Sequence, residues 1–262
     1  LRNMRWRGRL VRIWWTGLGL APAGLLGDFD GQQSVASLRD APNSHIPHQR
    51  TQEEYPHAFP RDGSSKIFEN NRVIVWDATW LNDVPQPYHR HRYDLTGVFL
   101  RWGPLKVTRL DGTFSASQEP FEVPWVFFQP KGVTHKEEGI GPPERHAVMI
   151  DIKDSTSSSR ETIPDLPEAF PREGTEEVLD RPRVTVWDVN SPTGWAAPLH
   201  VHPRDTVVVF LKGGTIRTQQ TDGTEESISH AYKDVRFIPA GTTHMSSVTS
   251  GAPRAMFYEL RN

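Results

Sequence analysis

The stretch "FPRDGSSKIFENNRVIVWD" (residues 59–77) returns further along the chain as "FPREGTEEVLDRPRVTVWD" (170–188). From position 59 to position 170 the offset is 111 residues, and the register persists well beyond these segments. "QPYHRHRYD" (86–94) meets "APLHVHPRD" (197–205), "VFL" recurs at 98–100 and 209–211, and "DGT" recurs at 111–113 and 222–224. After a two-residue deletion, "FFQPKGVTH" (127–135) aligns with "RFIPAGTTH" (236–244), and "AVMIDIK" (147–153) with "AMFYELR" (255–261). About a third of the aligned positions are identical. A match of this length at a fixed offset is the signature of an internal repeat. The chain therefore divides into residues 59–154 and 170–262, joined by "STSSSRETIPDLPEA" (155–169), a linker with no apolar period.

Each copy reads as β-structure. "RVIVWDATW", "TGVFLRW", "PWVFFQ" and "AVMIDI" in the first copy, and "RVTVWDV", "DTVVVFLKGG" and "AMFYEL" in the second, are β-branched or aromatic runs. Gly, Pro and Asp-Gly turns bound them, and no segment carries a 3.6-residue apolar period over three turns. The 20 glycines and 22 prolines suit many short strands. The expected class is all-β, as two small barrels or sandwiches, each closed around its own core. The paired Trp76 and Trp187 read as core residues.

In a strand, His89 and His91 point to one face, as do His200 and His202. That geometry permits chelation. Each pair is followed by a strand, an Asp-Gly turn, another strand and P-x-G-x-x-H, which ends on His135 or His244. The chain has no cysteine, which removes disulfides, thiolate ligands and thiol nucleophiles, so a metal here is held by nitrogen and oxygen.

This order of motifs resembles the cupin superfamily, over both repeats and thus most of the chain after residue 58. The resemblance implies two tandem double-stranded β-helix (jelly-roll) barrels, a bicupin. It also implies a divalent transition metal (Fe, Mn, Cu, Ni or Zn), up to one per barrel. The implied ligands are His89, His91 and His135 in the first barrel and His200, His202 and His244 in the second. The usual carboxylate three or four residues after the second histidine is missing; Leu95, Thr96, Thr206 and Val207 stand there. Asp94 and Asp205 lie five residues after the first histidine, an odd separation that faces away from the ligand side. They are read as outer partners of the metal or as turn residues, with direct ligation as the alternative. Ligation needs neutral imidazole, so metal affinity is expected to fall below about pH 6.

The function implied is a metal-dependent oxidoreductase of dioxygenase type acting on a small organic substrate. The alternatives are a metal-dependent isomerase or lyase, and a non-catalytic binding module. Lys212, Arg217 and Arg236 would suit an anionic substrate. The net charge of −2 and pI near 6.6 supply no field for nucleic acid or an anionic membrane. A homo-oligomer is compatible with everything above. The first 27 residues, "LRNMRWRGRLVRIWW" running into "GLGLAPAGLL", carry basic, apolar and small-residue regions in the order of a signal peptide. That reading makes the protein periplasmic or secreted; otherwise it is cytoplasmic, and the alternative is an upstream stretch read as protein. The apolar run is too short for a membrane span. Residues 28–58 read as a polar lead-in, with His45, His48 and His57 solvated.

Overall fold

The computed structural model describes residues 55–155 and 166–262; the basic leader, most of the lead-in and residues 156–165 of the linker lie outside the described residues. Every regular element among the described residues is a strand, and the architecture is all-β. No helix there is long and apolar enough to cross a membrane.

The first repeat runs through β1 (Ser64–Glu69), β2 (Val73–Trp80), β3 (His89–Arg90), β4 (Asp94–Arg101), β5 (Leu105–Arg109), β6 (Phe114–Ser117), β7 (Trp125–Gln129), β8 (Thr134–Gly139) and β9 (Arg145–Ile152). They form two antiparallel sheets, β1-β2-β9-β4-β7 and β3-β8-β5-β6, which face each other as the two walls of a jelly roll. The second repeat has β10 (Thr175–Arg181), β11 (Val184–Asn190), β12 (Ala196–His202), β13 (Thr206–Gln220), β14 (Glu225–His230), β15 (Val235–Ile238) and β16 (Thr242–Leu260). Here β13 spans the course of β4 and β5, and β16 that of β8 and β9. All seven strands consequently belong to one bent sheet.

Proline marks both breaks in the first copy, whereas the second copy passes Pro253 within β16. Gly103-Pro104 interrupts the first copy between β4 and β5, and Pro142-Pro143 interrupts it between β8 and β9, because proline cannot donate to the ladder. The second copy has Gly213-Gly214 at the first place and bends without breaking, through register shifts around Lys212 and Gly214. A Cβ on Gly214 would lie 2.6 Å from the Pro253 ring, so only glycine lets β13 pass β16 there.

The strand "RVIVW" is apolar without alternation because both its faces are buried. Ile74, Trp76, Ala78 and Trp80 point into the first barrel with Leu95, Leu105 and Met149. Val73 and Val75 point the other way, with Val98, Val148, Ile150 and Ile152, onto Val184, Val186, Val207, Val209, Tyr258 and Leu260 of the second repeat. The largest buried cluster is thus shared between the barrels, beside separate interior clusters around Trp76 in the first and around Phe170 and Phe210 in the second. Its ends are tied by exchanged ion pairs between equivalent residues: Arg72 with Asp205 at 3.0 Å, and Arg183 with Asp94 at 3.5 Å. Trp76 and Trp187 are packed against Phe59 and Phe170, at 5.2 and 5.4 Å between ring centres.

Candidate metal centres

The same local devices build both histidine triads. Antiparallel pairing sets His89 opposite His135 across β3 and β8, and His200 opposite His244 across β12 and β16. The proline two residues before each pair offers its carbonyl to the first ring: His89 Nδ1 donates to Pro87 O at 3.0 Å, and His200 Nδ1 to Pro198 O at 2.8 Å. A carbonyl only accepts, so Nδ1 carries the proton and Nε2 is left bare, the state a metal ligand requires. The glycine of P-x-G-x-x-H closes the site. In its left-handed conformation, Gly132 donates its N–H to His91 O at 2.7 Å, and Gly241 donates to His202 O at 2.7 Å. The turn carrying the third histidine is thereby pinned to the second.

All six histidines are buried, and in each triad the donor nitrogens lie within 4.8 Å of one another. His91 Nε2 and His135 Nε2 are 3.2 Å apart. Ligands about 2.1 Å from one metal, at angles between octahedral and tetrahedral, sit roughly 3.0–3.4 Å from each other. His89 Nε2 has no hydrogen-bond partner although it is buried. These observations fit a divalent metal on three imidazoles, with remaining positions open. Desolvation pushes His89 down to about 4, His91 to about 3 and His244 to about 4, and lowers His200 and His202 as well. These five rings are therefore neutral at physiological pH, and in the second barrel burial moves the acid threshold for ligation below the ordinary imidazole range.

Asp94 and Asp205 touch no histidine. Asp94 Oδ1 accepts the Lys131 N–H at 2.9 Å, and Asp205 Oδ1 accepts that of Ala240 at 2.9 Å, which fixes the turn before the third histidine. The other oxygen of each reaches the arginine of the opposite repeat. Their hydrogen bonds are those of turn residues; the chain leaves the histidine strand after His91 and His202 and turns into the next strand, which carries both aspartates away from the triads. His57 is not solvated, since its Nε2 lies 3.0 Å from buried Asp151.

Three residues at the sites are not marked by the sequence motifs: Glu137, Arg61 and Arg172. Glu137 follows His135 by two positions on β8 and so shares its face. Its Oε1 is 3.4 Å from His135 Nε2, its Oε2 accepts Trp80 Nε1–H at 2.8 Å, and Arg61 pairs with it. Burial pushes this carboxyl up, but Arg61 and His135 more than offset that and hold it well below the usual range. The signal was present as H-x-E at 135–137; the aligned pair in the second copy is His244 and Ser246. Arg61 and its counterpart Arg172 stand in the "FPR" that opens each repeat, too far along the chain for spacing to connect them with histidines.

A cavity of about 330 Å³ opens onto the second triad, lined by His202, His244, Arg172, Trp195 and Ser246 together with apolar side chains. Of Lys212, Arg217 and Arg236, which would suit an anionic substrate, Arg236 lines this cavity and the other two do not. His230 lies against Phe210 and lines the cavity.

No protein-family model matches the chain, and no curated protein matches its sequence. Solved structures do match in fold. AerE from Microcystis aeruginosa is 13% identical with a TM-score of 0.51, covering 79% of this chain and 99% of its own. An oxalate decarboxylase from Bacillus subtilis, described with Mn(II) centres, is 11% identical with a TM-score of 0.52, covering 76% and 72%. The oxalate decarboxylase–formate complex from Lactobacillus farciminis is 10% identical with a TM-score of 0.52, covering 79% and 88%. The chain is a bicupin by fold. Such likenesses speak for the architecture, while the bicupin's metal sites rest on its own six histidines.

Proposed function

We propose that this bicupin is a metal-dependent enzyme of dioxygenase type acting on a small organic substrate. The observation that carries the reading is the second triad: three buried imidazoles whose donor atoms converge, two of them, His202 and His244, lining a cavity with a largely apolar surface. A redox-active divalent metal held by His200, His202 and His244 would supply dioxygen chemistry at its open positions. The chain's own part is to exclude water with Val208, Phe210 and Phe257, to hold the His200 tautomer through Pro198, and to orient the substrate against Arg172. His89, His91 and His135 would hold a second ion in the first barrel.

A second reading, metal-dependent isomerisation or elimination, draws on Glu137, a buried carboxylate 3.4 Å from His135 Nε2 that would take up a proton beside the first triad once a substrate displaced Arg61. Elemental analysis of protein purified without added metal, followed by an oxygen-electrode assay over small organic acids, alcohols and diketones, tests both. Bound iron, manganese, copper or nickel with substrate-dependent oxygen uptake is the expected result. Metal-supported turnover without oxygen uptake gives the second reading, and absence of bound metal with no uptake on titration defeats both.

A further inference from the structure

The two barrels are equivalent in their histidines and opposite in what faces them. In the first, the Arg61 side chain is 5% exposed, stacked over Phe59 and Trp80 and neutralised by Glu137. In the second, Arg172 is stacked in the same manner, 5.1 Å over Phe170 and 5.0 Å over Trp195. Its expected partner is missing, because Ser246 stands where the first copy has Glu137. Among the described residues no carboxylate pairs with Arg172; its Nε is buried without a hydrogen bond, and its Nη1 donates at 3.2 Å to His200 Nε2. A guanidinium whose best contact is an imidazole lone pair is undersatisfied, since its fork geometry matches two carboxylate oxygens.

The space in front of the two arginines differs in the same sense. Trp80, Phe99, Phe127 and Arg145 crowd the first barrel, with Phe99 4.8 Å from Phe127 and Arg145 5.4 Å over Phe99. The pairing registers place Ser191, Phe210, Arg236 and Pro253 at the corresponding positions of the second barrel, and all four line the cavity. Bulk has been removed from the second barrel at the place where the internal carboxylate was removed. The remaining wall mixes apolar side chains, Val189, Val208, Ile216 and Phe257, with polar ones that include Gln220 and Glu226, and the volume of about 330 Å³ is at the small end for ligand pockets.

We infer that the cavity of the second barrel binds a small organic carboxylate with an apolar body, its carboxylate seated on Arg172 beside the second triad, and that Glu137 fills the equivalent seat in the first barrel. This names the substrate class of the site proposed above and rests on that reading for its catalytic meaning. Glu137 is the chain's own picture of the ligand: a carboxylate between the stacked arginine and the third histidine. The inference makes the barrels unequal, with the first closed to exogenous anions by its own side chain and the second open to them.

The test uses full-length protein stripped of metal, titrated with benzoate and, as the neutral analogue of the same shape, benzamide, by calorimetry or ligand-observed NMR. Benzoate binds saturably, and benzamide binds at least about tenfold more weakly, the discrimination expected of a charge-assisted bond. Arg172→Gln weakens benzoate by about 10- to 100-fold. Ser246→Glu, which supplies the second barrel with the carboxylate of the first, removes benzoate binding while retaining the fold, and carries the test if Arg172→Gln does not fold. Equal binding of benzamide, benzoate affinity untouched by Ser246→Glu, or no saturable benzoate binding overturns the inference. Because the titration is made without metal, its failure leaves the metal reading standing, and failure of metal uptake leaves this one to be judged by benzoate alone.

Discussion

Replacing Asp205 by Asn separates a role in the metal site from a role in joining the barrels. Asp205 Oδ1 accepts the Ala240 N–H at 2.9 Å, a bond that the amide oxygen of Asn preserves. Its Oδ2 lies 3.0 Å from Arg72 Nε, with the two side chains 2% and 10% exposed for Arg72 and Asp205. In the variant an NH2 group faces the guanidinium, and Arg72 is left buried without a carboxylate. Breaking one side of such a buried pair costs about 3–5 kcal/mol. The Nε–H is not well aimed at the carboxylate, so the contact is ionic more than a directed hydrogen bond, and the lower end, about 3 kcal/mol, applies. For a protein of this size that is a fall in Tm of roughly 6–12 °C. The twin substitution Asp94→Asn costs less, about 1 kcal/mol, because Arg183 is 3.5 Å away and 20% exposed and is therefore better screened. Thermal unfolding followed by circular dichroism, beside metal content by mass spectrometry, reads both quantities. Asp205→Asn is expected to melt early and to retain the metal stoichiometry of the parent. If it melts with the parent but loses the second-barrel metal, Asp205 serves the metal and the interface argument is wrong.

His202→Ala is expected to remove metal from the second barrel alone, leaving at most one ion per chain by elemental analysis, since two imidazoles do not replace the facial set of three. Acid acts late on the metal and earlier on the fold. Burial holds His244 near 4 and His202 well below its ordinary value and lowers His200 as well, so second-barrel metal affinity, measured with a chromophoric competitor, persists below the ordinary imidazole value of about 6.5 and falls toward 4. These folded values lie below the unfolded value of about 6.5, so the unfolded chain binds more protons in between. Metal-free stability from urea titration is therefore full above about 6.5 and declines as pH falls toward 4. Finally, residues 166–262 expressed alone expose Val184, Val186, Val207, Val209, Tyr258 and Leu260, and are expected to be insoluble or self-associating by light scattering. A monodisperse, monomeric fragment would show that the shared cluster is dispensable.

The six histidines were legible because local rules place them. Period-two alternation puts His89 with His91 and His200 with His202 on one face, a Pro-Gly turn aims His135 and His244, and the repeat supplies each observation twice. The all-β class was legible from the same strand runs and turns. Asp94 and Asp205 lie apart from the histidines because the chain turns into a new strand after His91 and His202, a turn that parity along one strand does not foresee, and what those aspartates bind was not accessible from sequence. Arg72 and Arg183 belong to the opposite repeat, and no periodicity encodes which outer faces of two barrels meet. The unbroken apolar run "RVIVW" held a hint, for a strand buried on both faces needs a second layer over it, but the hint does not say that the layer is the other repeat. Glu137 was one parity step from discovery, since a residue two beyond His135 on a strand shares its face. Arg61 and Arg172 were further off: they enter the sites from the start of each repeat, 28 residues before the first histidine, brought there only when barrel closure lays the opening "FPR" across the mouth. Side-chain direction along one strand is a local property of the backbone, and the sequence states it; which strands, and which barrels, come to face each other is settled by burial of apolar area over the whole molecule, and that is where the unequal chemistry of the two sites was decided.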